Sequence, residues 1–332
     1  MNFEFTEEQT MLGESLARTL QRGSDLNALL ELGVGAALLR EEHGGFGGLG
    51  PDILQVFSTL GRAAAVMPFL DSLVLGAGIL AEAGETELAE AAASGEIRLA
   101  VALDEPGTRY DGTVKTSVQD GKLSGEKSLV AGADTATHFI VSAVDGLYLI
   151  EAQADGVSSR AYPLMDGGRA AEISFAATPA RRIGGPELLA RPQAAAILAV
   201  CADALGVMER TVDLTIDYLK TRKQFGRPIG SFQALQHRFA DVITEVEQAR
   251  SAVWNLAGHL DSADRDRQVA ATKVLVGKVA RLVAEEAVQL HGGIGMTEEY
   301  ELASLVRRLL AADARFGDSD VHLERFIALS AA

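Results

Sequence analysis

The sequence TRKQFGRPIGSFQALQHRFAD, residues 221–241, joins two stretches that have the apolar periodicity of an α-helix. Apolar residues recur at steps of three and four over residues 205–219, and the same steps continue over residues 232–260. This spacing places the apolar side chains on one face of each helix. Gly226 and Pro228 are typical residues of a helix end. The segment therefore predicts a sharp junction between two amphipathic helices that bury their stripes against neighbouring elements.

The junction also carries side chains that a connector does not need. A helix C-terminus attracts cations, and this accounts for Arg222 as a charge near the last carbonyls. The same explanation leaves Gln224, Phe225 and Gln233 unexplained. A guanidinium can bind a pyrophosphate at two points, an amide can hydrogen-bond the edge of a heterocycle, and a phenyl ring offers a face for stacking. The junction therefore indicates a site for a flat, anionic ligand.

A second glycine-rich motif, AVQLHGGIGMTEEYE, occupies residues 287–301. Gln289 lies near the predicted end of a helix, and Gly292, Gly293 and Gly295 follow it. Glycines allow a backbone to approach a ligand closely. A single glycine would suffice to end the helix, so this motif on its own is compatible with either a helix stop or a binding turn.

The bulk composition limits the classes of partner. The chain has 332 residues, of which 48% are hydrophobic and 5% aromatic, and its formal net charge is −16. So acidic a chain argues against nucleic acid or an anionic membrane surface as a partner. Cys201 is the single cysteine and the six histidines lack the spacing of metal ligands, so we expect neither a disulfide nor a metal site. The N-terminus lacks the basic region of a secretory signal, and no run of 18 uncharged apolar residues occurs. With the single cysteine, these features predict a cytoplasmic protein without a membrane span.

The chain divides into three segments of different character. Residues 1–97 and 187–332 show helical periodicity, and the latter contains four apolar stripes that predict a four-helix bundle. Residues 98–186 are rich in β-formers, with Asp-Gly pairs at 120–121 and 145–146 that suit hairpin turns. We therefore predict a mainly α fold with an N-terminal helical domain, a small antiparallel β domain and a C-terminal four-helix bundle.

Taken together and in this order, the two motifs resemble signatures of the acyl-CoA dehydrogenase family. RKQFGRPIGSFQALQ resembles the pattern R-x-x-F-G-x-x-I-x-x-x-Q, and QLHGGIGMTEEYE resembles the pattern Q-x-x-G-G-x-G. Residues 32–48, LGVGAALLREEHGGFGG, are similar to an N-terminal segment of the family. The resemblance extends over the whole chain and implies the acyl-CoA dehydrogenase fold, in the same helical, β, helical order.

The resemblance also implies a cofactor and a reaction. Members of this family use FAD to oxidise an acyl-CoA thioester between Cα and Cβ, while a carboxylate removes the Cα proton. In the family, the two motifs reach an FAD that is held mainly by a neighbouring subunit. The resemblance thus implies FAD contacts at a set of residues from both motifs, namely Arg222, Gln224, Phe225, Gln233, Gln289, Gly292, Gly293 and Gly295.

The sequence departs from the family where the catalytic base belongs. An ungapped comparison places Phe316 at the position of the family's glutamate, and a gapped one places Asp318 there. Some members carry the base on an earlier helix, at a position that corresponds to residues near Ala196. The nearest carboxylates on that helix are Asp203 and Glu209, which lie farther along the chain. No confident catalytic residue follows from the sequence, and Asp318 is the remaining candidate.

The flavin-facing part of the β segment departs as well. Asp104 stands where the family has a threonine, and residues 129–131 replace a tryptophan-containing segment. This asymmetry predicts a chain that completes the cofactor site from the other side of a subunit interface. In this the sequence resembles the base-lacking subunit of heteromeric α2β2 acyl-CoA dehydrogenases, and the resemblance implies a homologous partner subunit and a steroid or other bulky acyl group. Two alternatives stay open. The first is a self-sufficient dehydrogenase that uses Asp318 as its base. The second is a scaffold or acyl-CoA binder that retains the fold without FAD.

Overall fold

A computed structural model describes residues 4–23, 25–108, 110 and 112–331. These residues form helices throughout both ends of the chain and strands in its middle. The helices are α1 (Glu7–Arg22), α2 (Leu26–Glu31), α3 (Val34–Ala37), α4 (Gly50–Arg62), α5 (Gly78–Glu82), α6 (Thr86–Ser94), α7 (Ala190–Thr221), α8 (Gln233–His259), α9 (Arg265–His291), α10 (Leu302–Ala314) and α11 (Ser319–Ala331).

The strands fall into a β segment and one short hairpin. They are β1 (Leu99–Ala102), β2 (Ser117–Gln119), β3 (Lys122–Ala131), β4 (His138–Ala143), β5 (Gly146–Glu151), β6 (Val157–Pro163), β7 (Arg169–Pro179), β8 (Arg181–Gly184), β9 (Lys223–Gln224) and β10 (Arg227–Pro228). This order confirms the predicted fold class, with helical ends around a small β region.

The chain folds into two compact units that are interleaved along the sequence. One unit comprises Met1–Gly23, Ile53–Ala65 and Ile197–Ala332. The other comprises Ser24–Asp52 and Val66–Ala196. The division into domains at residues 97 and 186 stays a prediction.

The first unit is a bundle of long helices with α9 at its centre. Helix α9 packs against α8, α10 and α11. Most positions of the four predicted apolar stripes are buried in this core, among them Val246 and Val253 of α8 and Val279 and Val283 of α9. Helix α11 is an addition to the four predicted helices. The sequence shows no clear apolar stripe for this helix, because only His322 is buried along it.

Helix α7 has the length and composition of a membrane span. The structure contains one such candidate among its described residues, Pro186–Thr221, and 67% of its most apolar window is buried inside the protein. A core helix of a globular protein has the same composition. Close packing explains part of this burial, since a Cβ on Gly206 would lie 2.1 Å from the carbonyl oxygen of Ser58 on α4.

The β segment consists of two four-stranded sheets in the orders β1-β4-β5-β8 and β2-β3-β7-β6. Their inner faces share one apolar core, in which the rings of Phe139 and Phe175 meet edge to face at 6.4 Å. The pairing is antiparallel as predicted except between β1 and β4, which run parallel. Parallel pairing is possible because the intervening chain crosses to the other sheet before it returns.

The two Asp-Gly pairs adopt different conformations. Asp120 and Gly121 both have positive φ, at 51° and 72°, and connect β2 to β3 as a type I′ turn requires. Gly146, by contrast, is already the first residue of β5 and pairs with Ala143. The second turn therefore consists of Val144 and Asp145, so the expectation for this pair was wrong by one residue.

Candidate functional site

The junction after α7 is a miniature β-hairpin rather than a simple helix stop. Strands β9 and β10 pair in antiparallel register, with Gln224 opposite Arg227. The two residues between them, Phe225 and Gly226, have φ of 52° and 78°, the conformation of a type I′ turn. A left-handed conformation strains a bulky side chain, and Phe225 is 92% exposed. Its exposure and strain point to a functional rather than a packing role.

The predicted contact residues of the hairpin are arranged to face outward. The backbone of Arg222 is fixed at both ends, because its N–H donates to the carbonyl of Tyr218 and its carbonyl accepts from Ile229, each at 2.8 Å. Its side chain is exposed and pairs with none of the described carboxylates. Gln233, the first residue of α8, is exposed in the same way, whereas the side chain of Gln224 donates to the carbonyl of Lys223 at 2.8 Å.

The neighbouring arginines of the bundle behave differently. Arg210 donates to both carboxylate oxygens of Glu301, at 2.7 and 2.8 Å. Arg238 forms a two-point pair with Glu286, which joins α8 to α9. The lack of a carboxylate at Arg222 is therefore a local property of the hairpin, and it leaves a cation available for an anionic ligand.

The second motif forms an open turn at the end of α9. Gly292 has a φ of 64°, and a Cβ on either Gly292 or Gly293 would meet no atom within 4 Å. The backbone here is thus accessible from outside, as a binding turn requires. Gly295 differs, because it is buried and a Cβ there would lie 3.0 Å from the Cβ of His291. Gln289 projects from the last turn of α9 and is exposed.

The two motifs lie at the same end of the bundle. Tyr218, near the end of α7, stacks on His291, the last residue of α9, with ring centroids 4.5 Å apart. The structure thus joins the hairpin and the glycine turn, which are about seventy residues apart in the sequence, as a single site would require. Their contact with a cofactor stays a prediction.

Comparisons with known proteins identify the family. The sequence profile of the Acyl-CoA dehydrogenase, C-terminal domain, matches residues 196–329. Over 294 residues the chain is 31% identical to Acyl-CoA dehydrogenase FadE27 of Mycobacterium tuberculosis, covering 82% of this chain and 78% of that protein. This chain belongs to the acyl-CoA dehydrogenase family.

Two solved heteromeric assemblies are close in structure. A chain of the ChsE4-ChsE5 complex of Mycobacterium tuberculosis is 27% identical and superposes with a TM-score of 0.89, covering 100% of this chain and 99% of that one. A chain of a Tcur3481-Tcur3483 steroid ACAD variant is 28% identical, with a TM-score of 0.89 and 98% coverage of each chain. The acyl-CoA dehydrogenase fold predicted from the sequence is confirmed.

The segment that the sequence comparison assigned to the family's glutamate base forms a turn in this chain. Phe316 and Gly317 both have positive φ, at 58° and 106°, between α10 and α11. Asp318 follows, and its Oδ1 accepts a hydrogen bond from the N–H of Val321 at 3.1 Å. This bond caps the N-terminus of α11, so the carboxylate already has a structural task.

Two substitutions distinguish a cap from a base at position 318. Because asparagine is as good a cap as aspartate, we expect Asp318→Asn to leave both the thermal midpoint and the turnover of any assembled dehydrogenase unchanged. Asp318→Ala removes the cap and should lower the free energy of unfolding by about 1 kcal/mol. A complete loss of turnover in Asp318→Asn, with stability retained, would identify Asp318 as the base.

The carboxylates on α7 are engaged in ion pairs. The two carboxylate oxygens of Asp203 accept from Nε and Nη2 of Arg308 on α10. Glu209 accepts from Arg250 at 2.6 Å and from Arg62 at 3.2 Å. Both carboxylates are thus held by arginines of other helices, and the lack of a catalytic base in this chain stays a prediction.

Two buried titratable residues near this turn were missed in the sequence. Lys273 is fully buried and donates to the carbonyls of Ala312 and Asp313, at 2.9 and 2.7 Å, where α10 ends. His322 is also fully buried, and its Nε2–H donates to the carbonyl of Phe316 at 3.0 Å. Together they hold both sides of the turn that contains Phe316. Among the described residues no group of three His, Cys, Asp or Glu side chains is placed to hold a metal ion.

His322 should make stability depend on pH. Burial lowers the pKa of His322 to about 4, whereas an unfolded histidine titrates near 6.5. Between these values the unfolded state binds the additional proton, so the free energy of unfolding falls as pH decreases from 6.5 to 4. We expect a loss of about 3 kcal/mol from this residue. Urea unfolding across this range should show a shallower pH dependence for His322→Gln than for the wild type, and equal slopes would contradict the assignment.

A second buried cluster lies at the end of β1. Glu105 and Lys127 form an ion pair with Nζ and Oε1 2.9 Å apart, and both side chains are buried. The carbonyl of Asp104 accepts from Ser128 at 2.9 Å, so this pair lies beside the two segments that depart from the family pattern. Leu129 has a φ of 53° and is exposed. No sequence signal pointed to this pair, since its members are 22 residues apart and neither belongs to a local motif.

Proposed function

We propose that this chain is the subunit of an FAD-dependent acyl-CoA dehydrogenase that completes the flavin site across a subunit interface, while a homologous partner subunit supplies the catalytic base. The observation that carries the proposal is the outward-facing hairpin. It presents an exposed phenyl ring on a strained turn beside an arginine without a carboxylate. These are features that a phosphate-bearing aromatic cofactor would use and that bundle stability does not require.

The residues present fit a flavin adenine dinucleotide. Arg222 would neutralise the pyrophosphate, and Phe225 would offer a stacking face to the adenine. The amides of Gln233 and Gln289 would hydrogen-bond the polar edge of a heterocycle. The accessible backbone at Gly292 and Gly293 would allow close approach. When bound, FAD accepts the hydride that leaves Cβ of the acyl thioester. The chain's own task is to hold the cofactor's anionic part in place.

The base-lacking assignment is supported by the carboxylates of this chain. Asp318 caps a helix, and Asp203 and Glu209 are held by arginines. The sequence comparison places Phe316, or with a gap Asp318, at the position of the family glutamate. Removal of a Cα proton needs a correctly placed base of suitable pKa. In the proposed assembly the partner subunit therefore removes the Cα proton of the acyl-CoA, and this chain binds and orients the cofactor.

The heteromeric state is supported by the structural relatives. The ChsE4-ChsE5 complex and the Tcur3481-Tcur3483 steroid ACAD are each named as pairs of different chains. By this similarity we propose an α2β2 assembly with a homologous acyl-CoA dehydrogenase subunit, in the cytoplasm, and a bulky acyl-CoA such as a steroid side chain as substrate.

Co-expression tests the proposal. This chain would be produced with a homologous subunit that retains the family glutamate, and the purified complex would be assayed with a steroid acyl-CoA and an artificial electron acceptor. We expect turnover that is abolished by Glu→Gln at the partner's base and retained in Asp318→Asn of this chain. Turnover that survives the partner substitution would instead support the self-sufficient alternative.

A further inference from the structure

We infer that Tyr218, His291 and Tyr300 form an aromatic neck that holds the glycine turn in register with Arg222 and thereby sets the affinity for the cofactor. The inference rests on the proposed function in so far as the ligand is a flavin. The three rings are positioning residues, because they act on the ligand through the backbone of the two motifs.

The geometry of the neck is continuous across three elements. His291 is buried, and its ring lies 4.5 Å from the ring of Tyr218 at an interplanar angle of 28°, and 5.4 Å from that of Tyr300 at 53°. Stacked and tilted aromatic pairs at these distances attract each other beyond their burial of area. One ring of the neck thus belongs to α7, one to the end of α9 and one to the chain that leads into α10.

The backbones of Tyr218 and His291 are each directly connected to a predicted contact residue. The carbonyl of Tyr218 accepts from the N–H of Arg222 at 2.8 Å, so the position of Tyr218 fixes the start of the hairpin. His291 immediately precedes Gly292, whose N–H donates to the carbonyl of Val288. A displacement of the His291 ring therefore moves the glycine turn relative to Arg222.

The residues that follow the glycine turn are connected to α7, the helix that carries Tyr218. Tyr300 contacts His291, and the next residue, Glu301, accepts two hydrogen bonds from Arg210 of α7, at 2.7 and 2.8 Å. The turn and the residues that follow it are consequently tied to α7 at both ends. An open glycine turn would otherwise have wide conformational freedom, and its ordering would weaken ligand binding.

His291 is suited to this role in its neutral form. Its Nδ1–H donates to the carbonyl of Ala287 at 2.8 Å, which leaves Nε2 as an acceptor, buried and without a partner among the described residues. Burial lowers the pKa of His291, against the effect of the bond to Ala287. The ring thus contributes mainly its faces to the neck, and phenylalanine should substitute for it.

A matched set of variants tests the neck in the co-expressed complex. His291→Ala removes the central ring, and His291→Phe keeps the ring but removes its hydrogen bond. His259→Ala is the control, because His259 makes the same bond to the carbonyl four residues earlier, Asn255 at 2.7 Å, at the end of α8. We expect the dissociation constant of FAD to rise about tenfold in His291→Ala, and to stay within about threefold of wild type in His291→Phe and unchanged in His259→Ala. The turnover number at saturating FAD should be unchanged in all three.

Two results of the affinity measurement would overturn the inference. One is a wild-type affinity in His291→Ala, and the other is an equal loss in His291→Phe. Amide hydrogen exchange at Arg222 and Gly292 tests the neck independently of any ligand, since both amides are hydrogen-bonded. Exchange at both sites should be faster in His291→Ala alone. A wild-type complex without flavin would contradict the proposed function. Unchanged amide exchange in His291→Ala would contradict the role of the aromatic neck.

Discussion

Replacing Lys127 with methionine is expected to lower the free energy of unfolding by about 3 to 5 kcal/mol. The ammonium of Lys127 is fully buried and donates to Glu105, to Ser142 and to the carbonyl of Leu103, at 2.9, 2.9 and 3.2 Å. Methionine fills a similar volume but leaves the carboxylate of Glu105 buried without its counter-ion. An uncompensated charge of this kind costs more than the pair itself contributed.

Glu105 cannot easily escape this cost by taking up a proton. Burial raises the pKa of Glu105, but hydrogen bonds from Thr116, Lys127 and the backbone of Lys115 outweigh it and hold the pKa at about 2. With Lys127 removed, the bonds from Thr116 and Lys115 still favour the ionised form. The carboxylate is thus kept charged and buried without its counter-ion until the β segment rearranges.

Urea unfolding followed by circular dichroism measures the effect. Arg18→Met is the matched control, because Arg18 pairs with Glu14 on the surface of α1, where both side chains are more than half exposed. An exposed pair contributes about 0 to 1 kcal/mol, so the control should unfold near the wild-type midpoint. A loss below about 1 kcal/mol in Lys127→Met would contradict the buried-pair assignment.

Replacing Arg222 with methionine in the co-expressed complex is expected to weaken FAD binding roughly 100-fold. A hydrogen bond to a charged group contributes about 1.5 to 3 kcal/mol, and a guanidinium can make two such bonds to a pyrophosphate. The side chain of Arg222 pairs with none of the described carboxylates, so the substitution breaks no ion pair among the described residues. The stability of the bundle itself should therefore change little.

Titration of the apo-complex with FAD measures this affinity. Lys278→Met is the control, because it removes the same charge from an exposed position of α9. We expect the affinity of this variant to equal that of the wild type. If Arg222→Met and Lys278→Met bind FAD equally well, Arg222 faces no phosphate and the hairpin has another role.

The local elements were predictable because their causes are local. The apolar steps of three and four in α8 and α9 determine which face is buried, and a short segment of sequence reveals them. The Asp-Gly turn at 120–121 follows from the same logic, because only a few residues accept positive φ. The turn at Phe225 was not predicted, because phenylalanine in a left-handed conformation contradicts its own propensity. Such a conflict between sequence and structure is expected where a residue serves a function.

The long-range pairs could not be predicted from one sequence. Asp203 and Arg308 are 105 residues apart and Arg210 and Glu301 are 91 apart, so no periodicity relates them. The sequence indicated that Asp203 and Glu209 were the nearest carboxylates to an alternative base position, but only the structure pairs them with arginines. The two motifs of the candidate site could be recognised in the sequence because the residues of each motif lie close together along the chain.

The most direct test of a flavin site completed across a subunit interface is the flavin content of this chain. It would be purified alone and together with a glutamate-bearing homologous subunit. The measurement is the visible absorbance spectrum of each preparation after gel filtration. We expect a colourless protein when the chain is purified alone and a yellow heteromeric complex when it is purified with the partner. A yellow preparation of this chain alone that also oxidises an acyl-CoA would contradict the account.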